Sequence, residues 1–404
     1  MTMRPFAATI SLEDALARID GCVAPVTRTE LVPLHEAPGR VLARDAVATG
    51  DVPPFSRAAM DGYAVQAVDS AGASHDQPAT LRVVDRVFTG QVSARSVGHG
   101  ECVEIATGAP MPDGADAVIM VEDTEPGADA HVRIRAAANP GQHVGRQGAD
   151  IHAGQVGLRG GTLLNASRVG ALAALGATEA AVYVKPRVAI LSTGNEIVEP
   201  GRPLEPGQIY DINRFTIGAV VSANGSVAEP HRTAADTLDA LVDAFDECLG
   251  ADVIVFSGGS SVGERDLMVD ALGQRGQIIF HGIAVKPGKP TVFGMVDHAM
   301  VFGMPGYPTS CLSNAYILLA PALRRLARLP VGLNRPVQAV LAQRITSVTG
   351  RHQFYTVRLV DGTALPAFKA SGDITSMSEA DGYIEIPAHV DALEQGAIVE
   401  VHRF

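Results

Sequence analysis

Leu12, Ala15, Leu16 and Ile19 repeat at the three- and four-residue spacing of a helix, and Ser11, with Asp14 three positions on, is placed to cap it. From about residue 47 to 147 the period shortens. Runs such as Leu81–Val84 and His131–Ile134 alternate and are cut by Gly and Pro clusters, which predicts a small β-rich domain. Asn165–Gly176 returns to helix, with Gly176 as its stop. Residues 182–330 follow a third pattern: Val188–Leu191, Val253–Phe256 and Met300–Gly303 are short and continuously apolar, as strands covered on both faces must be. Helical stretches separate them at Thr216–Ala223, Thr237–Leu249 and Leu312–Leu329, so the alternation predicts a doubly wound, parallel α/β domain. Beyond Pro330 and Pro336 a small β domain is expected, with turns at Asp361-Gly362 and Asp381-Gly382.

A chain of 404 residues with 47% hydrophobic and 19% charged residues has material for several cores. The net charge of −12 opposes general nucleic-acid binding, which draws on dense Lys and Arg. No apolar stretch approaches the roughly 20 residues of a membrane span, and no basic-then-apolar leader is visible. Cys22, Cys102, Cys248 and Cys311 form no CxxC and no zinc-like spacing, so a reducing, cytoplasmic setting is expected.

The chemistry should sit where the apolar runs end. Each runs into a turn rich in small residues: Ser192-Thr193-Gly194-Asn195-Glu196, Ser257-Gly258-Gly259-Ser260-Ser261-Val262-Gly263, and Gly303-Met304-Pro305-Gly306-Tyr307-Pro308-Thr309-Ser310. In an open parallel sheet such loops meet at the carboxyl edge, and their N–H groups attract phosphates or oxyanions. The chain holds only four lysines, and two stand in Lys286-Pro287-Gly288-Lys289-Pro290. A compact ammonium there suits phosphate or another oxyanion. Glu196, Glu264 and Asp266 lie on the same rims, and a magnesium–phosphate site needs one or two carboxylates besides the substrate's oxygens. The segments Pro53–Ala64 and Thr107–Pro112 read as turns, with Asp61-Gly62 a hairpin signal.

The chain resembles the molybdopterin molybdenumtransferase family, whose fold is shared by the C-terminal part of gephyrin. The resemblance rests on Ala59-Met60-Asp61-Gly62-Tyr63-Ala64, Thr107-Gly108-Ala109-Pro110, Ser192–Glu196, Ile209-Tyr210-Asp211-Ile212-Asn213, Ser257–Asp266 and Lys286–Pro290, in that order over nearly the whole length. It implies a multidomain α/β-plus-β architecture. An elongated module would comprise residues 1–46 and 148–181, an inserted β-rich domain 47–147, the molybdopterin-binding α/β domain 182–330, and a C-terminal β domain 331–404. It implies Asp61, Thr107, Asp150, Glu196 and Asp266 as catalytic, Glu196 and Asp266 as magnesium ligands, and Lys286, Lys289 and Ser310 as oxyanion contacts. Ser192, Thr193, Gly194, Ser257, Gly258, Gly259, Pro305 and Gly306 would complete the binding site. Adenylylated molybdopterin and molybdate are the implied substrates, AMP the leaving product, and a two-fold homodimer the implied assembly. Molybdopterin adenylyltransferase and molybdoenzyme maturation factors are the implied partners. Many relatives read Pro-Gly-Asn-Pro-Val-Ser where this chain has Pro305–Ser310. An Asp pair is replaced at Thr233-Ala234-Ala235-Asp236, and a Gly-Ser-His at Ser371–Ser376. Three other readings share these residues: an adenylyltransferase with the same α/β fold, a non-catalytic molybdopterin-binding scaffold, and a tungstate-preferring enzyme. The first normally lacks the domain that carries Met60–Tyr63 and Thr107–Pro110.

Overall fold

The computed structural model describes residues 9–231, 233–235, 237–258, 267–330 and 335–404. Over these the chain forms two compact units: Met1–Glu30, Gly39–Val41 and Ala181–Phe404 make one, Leu31–Pro38 and Leu42–Ala180 the other.

In the first unit, helix α1 (Leu12–Cys22) starts where Ser11 accepts the Asp14 N–H at 3.0 Å, and it buries Ala15 and Ile19 in the main core. The second unit is built on six strands: β1 (Gly62–Val65), β2 (Ala79–Val87), β3 (Glu101–Ile105), β4 (Ala117–Met120), β5 (Thr124–Pro126) and β6 (His131–Ile134), in the order β4-β1-β3-β2-β6-β5. Only β2 and β3 run parallel. Asp61-Gly62 is no hairpin: Gly62 opens a central strand, and a Cβ there would stand 1.8 Å from the Ile119 carbonyl oxygen. Close backbone approach, not turn chemistry, explains that glycine. Helix α2 (Ala166–Ala174) is capped by Asn165 and ends before Gly176, at φ +80°.

The α/β sheet of the first unit contains β7 (Arg187–Ser192), β8 (Val227–Pro230), β9 (Val253–Ser257), β10 (Gln277–His281), β11 (Val292–Val296) and β12 (Ala299–Met304), in the order β8-β7-β9-β12-β11-β10. The expected all-parallel sheet is mixed, because β11 turns straight back into β12 and β10 pairs antiparallel to β11. Alternate residues enter different cores. Val188, Ile190, Val253, Val255 and Phe302 join one, while Ala189, Leu191, Ile254, Phe256 and Val301 join the other. That two-faced burial is why these runs are continuously apolar.

After α4 (Leu238–Asp246) and α5 (Leu267–Arg275), the expected Leu312–Leu329 helix is three pieces: α6 (Pro308–Asn314), a π turn (Ala315–Leu319) and α7 (Ala320–Leu326). Pro321 has no N–H to return to the helix ladder. The turn before it widens so that the Ala320 N–H reaches the Ala315 carbonyl. The last strands, β13 (Val337–Leu341), β14 (His352–Val360), β15 (Thr363–Pro366), β16 (Gly382–Ile386) and β17 (Ile398–Arg403), close on themselves through a β14–β16 pairing. Asp361-Gly362 makes the expected β14–β15 turn with both φ positive, at 46° and 76°. Asp381-Gly382 does not turn, since Gly382 already lies in β16. Val285–Lys286 adds to the edge of β14.

Candidate active site

The chain leaves β7 for β8 on one side, then crosses to β9 on the other, so the carboxyl ends of β7 and β9 form a topological switch point. There the Thr193 N–H donates to the Ser257 carbonyl at 2.9 Å, and the Gly258 N–H reaches the Met304 carbonyl at 3.4 Å. Gly258 has φ +105°, and a Cβ on it would stand 2.4 Å from the Thr193 carbonyl oxygen. A side chain would force the two loops apart. At φ +136°, Gly194 leaves room for the Glu196 carboxylate, whose oxygens would lie 2.7 Å from a Cβ.

Helix α3 (Asn213–Ala223) points its first turn at these loops. It begins three residues before the expected Thr216, because Asp211 Oδ1 accepts the Arg214 N–H at 3.1 Å. Asn213 donates to Ser257 Oγ at 2.7 Å and to the Gly306 carbonyl at 2.8 Å, tying the loops after β9 and β12 together with one amide. Below it, burial pushes the Cys311 thiol up to about 12, so it is a neutral floor residue and no nucleophile at pH 7.

A cleft of about 800 Å³ opens over this floor. Ser192, Thr193, Glu196, Ser257, Gly258, Pro305 and Gly306, all anticipated, line it. Three buried floor atoms have no hydrogen-bond partner, Ser192 Oγ, Thr193 Oγ1 and Asn213 Oδ1, while Asp211 Oδ2 faces the Arg214 guanidinium at 3.6 Å. Such atoms cost free energy unless something completes them, so they mark where a polar ligand group belongs.

Other anticipated residues stand elsewhere. Lys286 and Lys289 do not line the cleft, and only Pro290 of their loop does. The loop is held from behind, where Asn314 donates to the Gly288 carbonyl at 2.9 Å. Ser310 is buried on α6 outside the lining. Gly259 and Asp266 lie outside the described residues. In the second unit Asp61 Oδ1 accepts the Thr107 N–H at 2.7 Å and its hydroxyl at 2.9 Å. These two bonds hold the Asp61 carboxyl below its ordinary range. Thr89 supports the pair by donating to the Thr107 carbonyl at 2.9 Å. Asp61 borders a hollow of about 210 Å³ with Arg86, Phe88 and Glu104, whereas exposed Asp150 does not. Sequence reasoning did not single out Leu204, Tyr307 and Gly372 as lining residues, nor give Asp211 and Asn213 roles. For the last two the signal was present, an Asp two residues before an Asn at a helix start.

Three family descriptions match the chain in succession. "MoeA N-terminal region (domain I and II)" covers residues 10–176, "Probable molybdopterin binding domain" 189–325 and "MoeA C-terminal region (domain IV)" 338–404. Molybdopterin molybdenumtransferase 2 of Mycobacterium tuberculosis (strain ATCC 25618 / H37Rv) is 36% identical over 92% of this chain and 94% of its own length. The chain belongs to the molybdopterin molybdenumtransferase family. The molybdopterin molybdenumtransferase of Staphylococcus epidermidis (strain ATCC 12228 / FDA PCI 1200) is 29% identical over 97% of this chain and 95% of its own. The crystal structure of the molybdopterin biosynthesis moea protein from Pyrococcus horikosii superposes with a TM-score of 0.86 at 39% identity, covering 98% of this chain and 99% of that one. As in the family, the chain is a transferase with a molybdopterin-binding domain between β-rich parts.

No helix among the described residues is long and apolar enough to cross a membrane. Nor do the described residues hold a group of three or more His, Cys, Asp or Glu arranged as a metal cage. Glu196 nevertheless places an exposed carboxylate on the cleft lining, whereas the buried Asp211 carboxylate is taken up by Arg214. One such carboxylate fits a magnesium ion that takes its remaining oxygens from water and a phosphate substrate.

Proposed function

We propose that the protein inserts molybdate into adenylylated molybdopterin and releases AMP, with the α/β cleft as the substrate site. The observation that carries this reading is the switch-point cleft itself: apolar walls, a floor of uncompleted polar atoms, and a carboxylate at the rim. Asn213 and the Ser257 and Gly306 turns orient the bound nucleotide-pterin, because one amide fixes both turns. Glu196 and Asp266 would hold magnesium, which supplies charge neutralisation at the phosphate oxygens. Lys286, Lys289 and Ser310 act on oxyanions, and Asp61, Thr107 and Asp150 contribute the polar groups of the second unit. The working form is a cytoplasmic homodimer, with the adenylyltransferase and molybdoenzyme maturation factors as partners. Purified protein given adenylylated molybdopterin and molybdate should release AMP only when molybdate is present. Substrate consumption without molybdate dependence overturns the reading.

A further inference from the structure

Tyr307 immediately precedes helix α6 and is unusually placed for a tyrosine. It is 68% exposed, yet it lines the cleft rather than an open surface. Its backbone is fixed, since the Cys311 N–H donates to its carbonyl at 2.9 Å in the first turn of α6. The Ser371–Ser376 segment backs it. Thr309 donates from its N–H to the Ser371 carbonyl at 3.2 Å and from its hydroxyl to the Asp373 carbonyl at 3.1 Å. A Cβ on Gly372 would lie 3.7 and 3.9 Å from two ring carbons, so the ring rests beside Gly372 at van der Waals distance. The Pro305–Ser310 and Ser371–Ser376 stretches therefore meet at one wall of the cleft.

The floor says what kind of molecule this wall receives. Both amide hydrogens of Asn213 are committed, to Ser257 and to Gly306, which leaves its buried Oδ1 as an acceptor only. A phosphate would set oxygen against oxygen there. An aliphatic ligand would leave Oδ1, Ser192 Oγ and Thr193 Oγ1 uncompleted. A flat ring with N–H groups on its edge completes the acceptor and offers a face to an aromatic side chain. Leu204 and Ile209, 42% and 55% exposed and on the same lining, give that ring further apolar surface.

Resting on the proposed function, we infer that Tyr307 is the stacking platform and a specificity-determining residue for an amino-substituted fused nitrogen heterocycle. Adenine and pterin share that chemistry. The test is calorimetric titration of the full-length protein with AMP and, separately, with a 2-amino-4-oxopteridine, in the wild type and in Tyr307→Ala and Tyr307→Phe. Loss of a stacking aromatic weakens binding roughly 5- to 100-fold, so Tyr307→Ala should do this for one of the two ligands. The ligand that weakens names the ring. Tyr307→Phe keeps the face and should stay within about threefold of wild type. Melting temperatures report folding, and an exposed ring should leave them unchanged. Equal affinity of wild type and Tyr307→Ala for both ligands overturns the inference, as does a Phe variant as weak as Ala, or a wild type that binds neither. Failure of the proposed function looks different: the Tyr307-dependent binding persists, but no molybdate-dependent AMP release occurs.

Discussion

The α/β cleft and the Asp61–Thr107 pair are both polar clusters, but they are held in opposite ways. In the cleft, polar groups stand at the ends of strands whose every residue from Val188 to Ser192 and from Val253 to Ser257 is buried. Their positions follow from the core. Asp61 is exposed, and its carboxylate is placed by two donors from the single residue Thr107. A site hung on a core is disturbed by distant packing changes, while a site hung on local bonds is disturbed only by its neighbours.

Truncation of the core beneath the cleft should produce the largest effect. Phe256 is 1% exposed and stacks on Phe245 with ring centroids 5.4 Å apart. Phe256→Ala should destabilise the α/β region by about 3–5 kcal/mol, seen as lost amide protection in hydrogen exchange along β7, β9 and β12. Amides of β1 and β3, beside Asp61, should keep theirs. Parallel loss of protection in both sheets would mean that the two regions unfold as one, and the contrast would fail.

The rim of the cleft offers the next contrast, between chemistry and packing. Glu196 is exposed and lies outside both cores. Glu196→Gln should leave stability within about 0.5 kcal/mol of wild type. Molybdate-dependent AMP release should fall about 10²- to 10³-fold, as for loss of one electrostatic contact to a reacting centre. Normal turnover of a stable Glu196→Gln protein across a magnesium titration would reduce Glu196 to a rim residue.

The same division decides what was readable beforehand. Apolar runs ending in Gly-rich turns announced the cleft because burial on both faces and ligand approach both impose composition. The mixed sheet was hidden. β11 and β12 are joined by a tight reversal at Asp297, and the continuous run Met300–Gly303 looks alike in either direction. The π turn escaped because Pro321 was read as helix interior, although its missing donor argues for an irregular turn there. Tyr307 escaped as a lining residue because exposure of a large aromatic ring cannot be read from its neighbours in sequence. Asp61 was legible only through resemblance. An Asp-Gly pair usually signals a hairpin, and here the glycine answers to Ile119 in the adjoining strand, far away in sequence.

The smallest expected effect is at Asp61, where the local bonds can be separated. The Thr107 N–H is the larger cause of the lowered Asp61 pKa and the hydroxyl the second. Thr107→Val removes only the hydroxyl, so the pKa should rise part of the way toward its ordinary value and stop there. The sign of the accompanying stability change follows from linkage. A carboxyl with a depressed folded-state pKa stabilises the fold at pH values above its unfolded pKa, near 3.9 for Asp. That contribution disappears as pH falls through the folded value. The wild type should therefore be slightly more stable than Thr107→Val at neutral pH, and the gap should close on acidification. The exposure of Asp61 keeps the gap small, since water screens the charge. Carbon-13 NMR of the Asp61 carboxyl, titrated in both proteins, measures the shift directly. An unchanged Asp61 pKa in Thr107→Val would show that the hydroxyl bond does not hold the carboxylate, and the site would then rest on the backbone alone. A pKa that rises all the way to the ordinary value would show that the hydroxyl had also held the Thr107 backbone in place.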